Sequence, residues 1–297
     1  MNAFSNKIAI YGSRRQDPYL RELDGLFSFL DEAGFKVVIH QPFADYLIEK
    51  GVNMAKGIPV LNIPSDTVMV ISIGGDGTFL RAARWIGDKG LPIFGINTGH
   101  LGFLSSCSLK DAREMITDVC TGNIIIEKRM LLKVECEALP QDIWNFALNE
   151  IAVLRDELSS IISVKTSIDG VFLADYRADG LIISTPTGST AYSLSAGGPI
   201  LQPTINCIAL SPIAPHTLTL RPLVVGGDSK IEMEAESRSK NIRLNIDDRS
   251  YRIPAGQIIR VKRADFPVLL IRKKASDFAS ILRDKLLWSA RGEGGID

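Results

Sequence analysis

Long apolar runs, excess charge of either sign and paired cysteines are all missing from this 297-residue chain. The longest apolar stretches, such as Val268–Ile271, fall far short of the roughly 18 residues that a membrane-crossing helix requires. Lys plus Arg number 34, and so do Asp plus Glu. The formal net charge is therefore 0, and no broad basic field exists to gather nucleic acid. Cys107, Cys120, Cys136 and Cys207 show no short paired spacing, which reads as reduced core residues rather than disulfides or a metal cluster. The three histidines, His40, His100 and His216, are scattered and read as structural. Met1–Lys7 lacks the basic segment and apolar stretch of a secretory signal. These absences lead to the expectation of a cytoplasmic protein with neither a membrane nor a nucleic acid as partner. Several motifs are also absent. No G-x-x-x-x-G-K-[ST] occurs and no G-x-G-x-x-G follows the first strand, which removes the P-loop nucleotidases and the ordinary dinucleotide fingerprint. H-E-x-x-H and G-x-S-x-G are missing too.

What is present is an ordinary globular composition, 45% hydrophobic and 23% charged, whose periodicity changes once along the chain. Up to residue 122, strand-like and helix-like segments alternate. Lys7–Tyr11, Phe35–His40, Thr67–Ile73 and Pro92–Asn97 read as strands, and Thr67–Ile73 is apolar enough to be buried on both faces of a parallel sheet. Leu23, Leu26, Phe27 and Leu30 recur at helical spacing, as do Phe79, Ala82, Ala83 and Ile86. Asp17 before Pro18 reads as a helix cap, and Ser108 with Asp111 as a capping box for a helix ending near Gly122. This alternation predicts a doubly wound α/β domain over 1–122. From 123 to 271 the period becomes two. Leu132/Val134/Cys136, Ile231/Met233/Ala235, Ile242/Leu244/Ile246 and Ile259/Val261 alternate with polar neighbours. Ser160–Ile168 and Val171–Arg177 flank Asp169-Gly170, a hairpin signal. An antiparallel, β-rich domain is predicted there. Over 272–297, Phe278, Ile281, Leu282 and Leu286 form an amphipathic helix expected to pack back on the first domain, followed by a polar tail.

Three stretches carry chemistry. Gly74-Gly75-Asp76-Gly77-Thr78 closes a buried strand and opens a helix, the edge where α/β sheets bind ligands. Its glycines let backbone approach a phosphate, and Asp76 suits a sugar hydroxyl or a cation; a tight turn with a capping Asp fits equally well. Asn97-Thr98-Gly99-His100-Leu101-Gly102-Phe103 ends another strand, and its glycines place it near a ligand or the first glycine turn. Asp179–Pro199 is a strand followed by a loop dense in glycine and hydroxyls, with seven Ser or Thr between Ser184 and Ser195. Such a loop suits a ligand with many hydroxyls, for instance a nucleotide. Asn149-Glu150, after apolar Phe146-Ala147-Leu148, reads either as a grip on an adenine edge and ribose or as a solvated strand end. Ser211–Leu218, stiffened by two prolines, reads as a pocket wall.

In order and spacing, Gly74–Thr78, Gly95 through Leu104, Asn149-Glu150, Asp179–Ile200 and Ser211–Val224 resemble the NAD kinase family. The likeness spans residues 74 to about 224, and the long Asp179 block is its most specific part; Gly-Gly-Asp-Gly is shared with lipid kinases and phosphofructokinase-like enzymes. One departure is Asp247-Asp248-Arg249, where the family commonly has Asp-Gly-Gln; no contact is carried over to those positions. The resemblance implies phosphoryl transfer from ATP to the 2′-hydroxyl of the adenosine ribose of NAD, giving NADP. By the family pattern Asp76 is the general base, with Gly77 and Arg81 beside it. Asn149, Glu150, Asp179, Thr190, Ala191, Tyr192, Ser193, Leu194, Ser195 and Ala214 line the dinucleotide site, expected as a cleft between the two domains. A divalent ion, Mg²⁺, accompanies the ATP phosphates, and the chain forms a homo-oligomer, a dimer or tetramer. A lipid or sugar kinase and a non-catalytic NAD(P)-binding sensor are the alternatives.

Overall fold

The computed structural model describes residues 6–99, 102–156, 161–274, 277–286 and 288. Two units divide the chain, Met1–Glu127 with Leu269–Asp297, and Lys128–Val268.

The first unit is built on a sheet ordered Ile58–Val60, Lys36–His40, Lys7–Gly12, Thr67–Ile73, Pro92–Asn97, Val268–Lys273 and Ile124–Arg129. Ser105–Ser108 adds to Pro92–Asn97 as a further parallel neighbour. Thr67–Ile73 is parallel to strands on both sides, and Val70, Ile71 and Ile73 are fully buried, as its unbroken apolar run implied. Helix Asp76–Ile86 follows, burying Phe79, Ala82, Ala83 and Ile86. Lys7–Gly12 leads outward to one side of the sheet and Thr67–Ile73 to the other. The order reverses between these two strands, and their carboxyl ends mark the switch point where α/β sheets take ligands. Gly74 begins at that point.

Local expectations change in several places. The boundaries at 122 and 271 give way to Glu127 and Leu269, because Ile124–Arg129 and Val268–Lys273 pair into the first unit's sheet. Asp17 caps nothing; its carboxylate pairs with Lys50 at 2.6 Å, and helix Leu20–Glu32 begins after a short 3₁₀ turn. The Ser108 hydroxyl donates to Asp111 at 2.6 Å instead of capping an amide, and the helix starts only at Ala112. Helix Phe278–Leu286 belongs to the first unit, yet Leu282 is its buried residue while Phe278, Ile281 and Leu286 are half-buried.

The second unit holds two antiparallel six-stranded sheets. One runs Leu223–Gly226, Cys207–Ile213, Gly180–Ser184, Glu150–Arg155, Asn241–Ile246, Arg249–Pro254; the other runs Val171–Ala178, Ile162–Ile168, Ile231–Glu236, Ile258–Arg263, Leu132–Glu135, Phe146–Ala147. The period-two residues Ile231, Met233, Ala235, Ile242, Leu244, Ile246, Ile259 and Val261 are all buried in one apolar core shared by both sheets. Asp169 and Gly170 both take positive φ, 51° and 82°, the backbone a two-residue hairpin turn demands. Ser160, the expected start of that hairpin, lies outside the described residues, and the strand begins at Ile162. All four cysteines are free; Cys107 and Cys207 are buried and Cys136 is half-buried, but Cys120 is exposed, so the core reading fails for it.

Candidate active site

In the first unit the glycine turn and the Asn97 loop meet. Gly74 has φ 146°, and a Cβ there would lie 2.5 Å from the Thr78 hydroxyl, so only glycine fits. Asp76 occupies the first turn of its helix, but its carboxylate reaches sideways. Oδ2 accepts the Phe103 N–H at 2.8 Å and Oδ1 accepts the Leu104 N–H at 3.2 Å. A Cβ on Gly102 would sit 1.8 Å from Oδ1, so this glycine exists to let the carboxylate lie against backbone. The loop is fixed from inside as well. Ser105 Oγ accepts from Gly102 N–H and Asn97 Nδ2, while Asn97 Oδ1 accepts from Gly99 N–H. Asp76 remains half-buried between two exposed glycines, Gly75 and Gly77. Arg81 folds back over Gly77 and donates to the Thr78 hydroxyl at 3.3 Å. Burial pulls the Lys285 ammonium below the usual lysine range, and the Asp76 carboxylate opposes that pull. His100 and Leu101 lie outside the described residues. His40 stacks on Tyr11 at 4.3 Å in a structural contact, and His216 is exposed.

In the second unit the Asn149 turn and the hydroxyl-rich loop form one construction. Asn149 O accepts from Thr185 N–H at 2.9 Å, and Thr185 Oγ1 donates to Leu148 O at 2.6 Å. A Cβ on Gly188 would strike Asn149 O at 2.1 Å. Ser193 and Ser211 exchange a hydroxyl bond at 3.0 Å, and Gly198 leaves room for both. Asn149, Glu150 and Thr190–Ser195 thus come together, Tyr192 and Ser195 on the exposed side and Ser193 inside. Asp179 and Ala214 do not join them. Asp179 pairs with Arg155 at 3.0 Å, and its N–H bonds Ile213 O, beside Ala214 at φ 44°. These residues sit at the Gly180 end of strand Gly180–Ser184, whereas Glu150 faces Ser184 at the other. Four residues at about 3.4 Å each separate the two ends by about 14 Å.

Asp247 anchors the Asn149 turn. Its carboxylate accepts the N–H groups of Leu148 and Asn149 at 2.8 Å and of Glu150 at 3.2 Å. Its own backbone takes φ 50°. Arg249 completes the hold by donating to the carbonyls of Trp144 and Phe146. Burial and the Asp247 charge push the Glu150 carboxyl up to about 8, against one bond from the Tyr192 N–H. Burial also raises Asp247, but three backbone N–H groups and Arg249 oppose it there. The proton of this pair therefore rests on Glu150. Sequence reasoning placed the Gly102 loop near the glycine turn without finding its contact with Asp76, and it missed the roles of Asp247 and Lys285. The signals available were a glycine near the end of the Asn97 loop and the departure at Asp247-Asp248-Arg249.

A family model described as the ATP-NAD kinase N-terminal domain matches residues 53–124, and one described as the ATP-NAD kinase C-terminal domain matches residues 148–273. The chain is 41% identical over 293 residues to the NAD kinase of Bacteroides fragilis, covering 96% of this chain and 98% of that one. It is 42% identical over 286 residues to the NAD kinase of Porphyromonas gingivalis, with the same coverage. The chain belongs to the NAD kinase family. Its activity is the phosphorylation of NAD to NADP, which displaces the lipid-kinase, sugar-kinase and sensor alternatives. Among solved structures, an NAD kinase from Archaeoglobus fulgidus in complex with ATP matches at 28% identity and a TM-score of 0.68, over 90% of this chain and 94% of that one. Yeast NADH kinase complexed with NADH matches at a TM-score of 0.85 over 98% of this chain and 89% of that one, and at 23% identity that likeness speaks for the fold alone. The NAD kinase fold is thus present in both units, and among the described residues no helix is long and apolar enough to cross a membrane.

Proposed function

We propose that Asp76 is the general base of this NAD kinase. It takes the proton from the 2′-hydroxyl of the adenosine ribose of NAD as that oxygen bonds to the terminal phosphorus of ATP. The bond from that phosphorus to the ADP oxygen breaks, and NADP and ADP leave. The observation that carries this reading is the Asp76 carboxylate itself. It stands at the carboxyl end of a buried parallel strand, half-buried between glycines, and each oxygen accepts one backbone N–H. That leaves lone pairs for a proton, and the N–H bonds fix the direction in which they point. Gly77 and Arg81 frame the group and present a backbone approach and a guanidinium to phosphate oxygens. Asn149, Glu150 and Thr190–Ser195 hold NAD, and Asp179 and Ala214 contact it further along the strand pair. A neutral Glu150 both donates and accepts toward hydroxyls.

ATP is the donor, with Mg²⁺ on its phosphates. Mg²⁺ characteristically binds through substrate phosphates rather than in a dedicated protein cage, so the ion would come in with the nucleotide. When bound, it supplies charge neutralisation at the phosphates. The protein works in the cytoplasm as a homo-oligomer. The test is NADP formation from NAD and ATP with Asp76→Asn. Turnover is expected to fall about 10²–10⁴-fold with an unchanged melting curve. Near-normal turnover by a folded variant refutes the assignment, and activity that survives exhaustive chelation refutes the ion.

A further inference from the structure

Strand Val268–Lys273 ends an apolar run with a charged residue that is buried all the same. Arg272 is 5% exposed, on a strand that pairs in parallel, through Leu269 and Leu270, with the strand that carries Asn97. A buried guanidinium has to be satisfied by nearby acceptors, since an uncompensated charge in the interior is costly. Nε pairs with the Glu127 carboxylate at 3.8 Å. The fork also donates to two backbone carbonyls. Nη1 donates to Ser105 O at 3.0 Å and Nη2 to Phe103 O at 2.5 Å. Next to it, the Ser106 hydroxyl donates to Ile271 O at 2.7 Å.

These carbonyls belong to the segment that holds Asp76. The peptide unit joining Phe103 to Leu104 presents its carbonyl to Arg272 and its N–H to Asp76 Oδ1. A cation on the oxygen side of a peptide polarises it and strengthens its N–H as a donor. The second carbonyl, Ser105 O, fixes the turn so that the Phe103 N–H meets Oδ2. We propose that Arg272 is a positioning residue for Asp76, setting through the Phe103–Ser105 backbone the direction of the carboxylate that receives the proton. The assignment rests on the reading of Asp76 as the general base. Lysine substitutes only in part, because a single ammonium lacks the planar fork that reaches two carbonyls at once.

The experiment is a double-variant cycle on the full-length enzyme with NADP formation as readout. It uses Arg272→Gln, Arg272→Lys, Asp76→Asn and the Asp76→Asn/Arg272→Gln pair, each with its melting temperature. Displacement of a reacting group by about 1 Å costs on the order of 10²-fold, so Arg272→Gln is expected to lower kcat about 10–100-fold while KM for NAD and for ATP changes less than about threefold. Arg272→Lys should fall between Arg272→Gln and the wild type. In the Asp76→Asn background, Arg272→Gln should cost less than about twofold more, since there is no base left to aim. A folded Arg272→Gln with wild-type kcat, or losses that multiply in the pair, overturns the positioning role. If Arg272→Gln does not fold, Arg272→Lys carries the same cycle with the same outcomes. Near-normal turnover by Asp76→Asn refutes the base reading instead, so the two failures are distinguishable.

Discussion

Glu150 should make this protein lose stability as pH rises, and Glu150→Gln should remove that loss. In the unfolded chain the carboxyl ionises near the usual 4.5, whereas in the fold it keeps its proton up to about 8. The cause is burial beside the Asp247 charge. Glu150 Oε2 is sealed from solvent with no hydrogen-bond partner among the described residues. A group whose folded value is raised contributes stability that is fully present below 4.5 and vanishes as pH climbs through 8. The slope is about 1.4 kcal/mol per pH unit, and the whole span is worth on the order of 5 kcal/mol. Between pH 6 and pH 8 the wild type should therefore lose roughly 2–3 kcal/mol from this residue. The amide of Glu150→Gln is neutral in both states and mimics the protonated acid, so the variant should be flatter over that range and more stable than wild type at pH 8. Urea denaturation at pH 6, 7 and 8, followed by circular dichroism, measures both. Parallel pH dependences for the two proteins refute a protonated Glu150. The same inference limits the effect on NAD use. A neutral hydrogen bond is worth about 0.5–1.5 kcal/mol rather than the 1.5–3 of a charged one, so Glu150→Gln should cost about threefold to tenfold in kcat/KM.

Asp247→Ala should destabilise the second unit by on the order of 3–5 kcal/mol, since it strands three backbone N–H groups and leaves alanine at positive φ. An unchanged denaturation midpoint rules this anchor out. Ending the chain after Lys274 removes helix Phe278–Leu286, whose one buried apolar side chain is Leu282, so the stability loss should be near the roughly 1.5–3 kcal/mol of a single leucine. Turnover should fall further than stability implies, because Lys285, whose ammonium interacts electrostatically with the Asp76 carboxylate, goes with it. Wild-type kcat in the shortened chain makes the helix peripheral. A cut after Ile271 is a poorer experiment, since it takes Arg272 as well.

Features specified by neighbours in sequence were legible from residues alone. Thr67–Ile73 reads as a buried parallel strand because seven residues carry almost no polar side chain, and the period-two strands identify their inner face directly. Asp169-Gly170 names its own turn, since positive φ at both positions suits few other pairs. Partner choice was not legible. Val268–Lys273 has the composition of a core strand but nothing in it indicates that it joins Pro92–Asn97 rather than the sheets of the second unit. Helix Gln41–Glu49 hid behind His40, where strand passes into helix with a proline in the first turn and no side-chain cap. In the site, Asp76 and the Asn149 turn were visible as motifs, and so was the loop that meets Gly74. The residues that hold them were not. Asp247 acts on backbone groups 97 to 99 positions away, and Arg272 on carbonyls 167 to 169 positions away. Such contacts leave no local pattern, because any surface aspartate or strand-end arginine looks the same in sequence.

Asp76 and Asp247 show why a carboxylate on backbone amides is not by itself a catalytic sign. Both end in a loop contributed from far along the chain, and both accept only N–H groups in these contacts. Asp247 accepts three, two of them on a single oxygen, and its conformation is fixed by a positive φ and by Arg249 nearby. It has little capacity left for a substrate, and its consequence is felt at Glu150, which must stay neutral beside it. Asp76 accepts two, one per oxygen, and sits half-open at a sheet's switch point. The same bond that stiffens a turn in one place aims a base in the other, and the difference lies in how many lone pairs remain free. Substituting each by asparagine separates the cases: Asp247→Asn should register mainly in the denaturation midpoint, and Asp76→Asn in kcat.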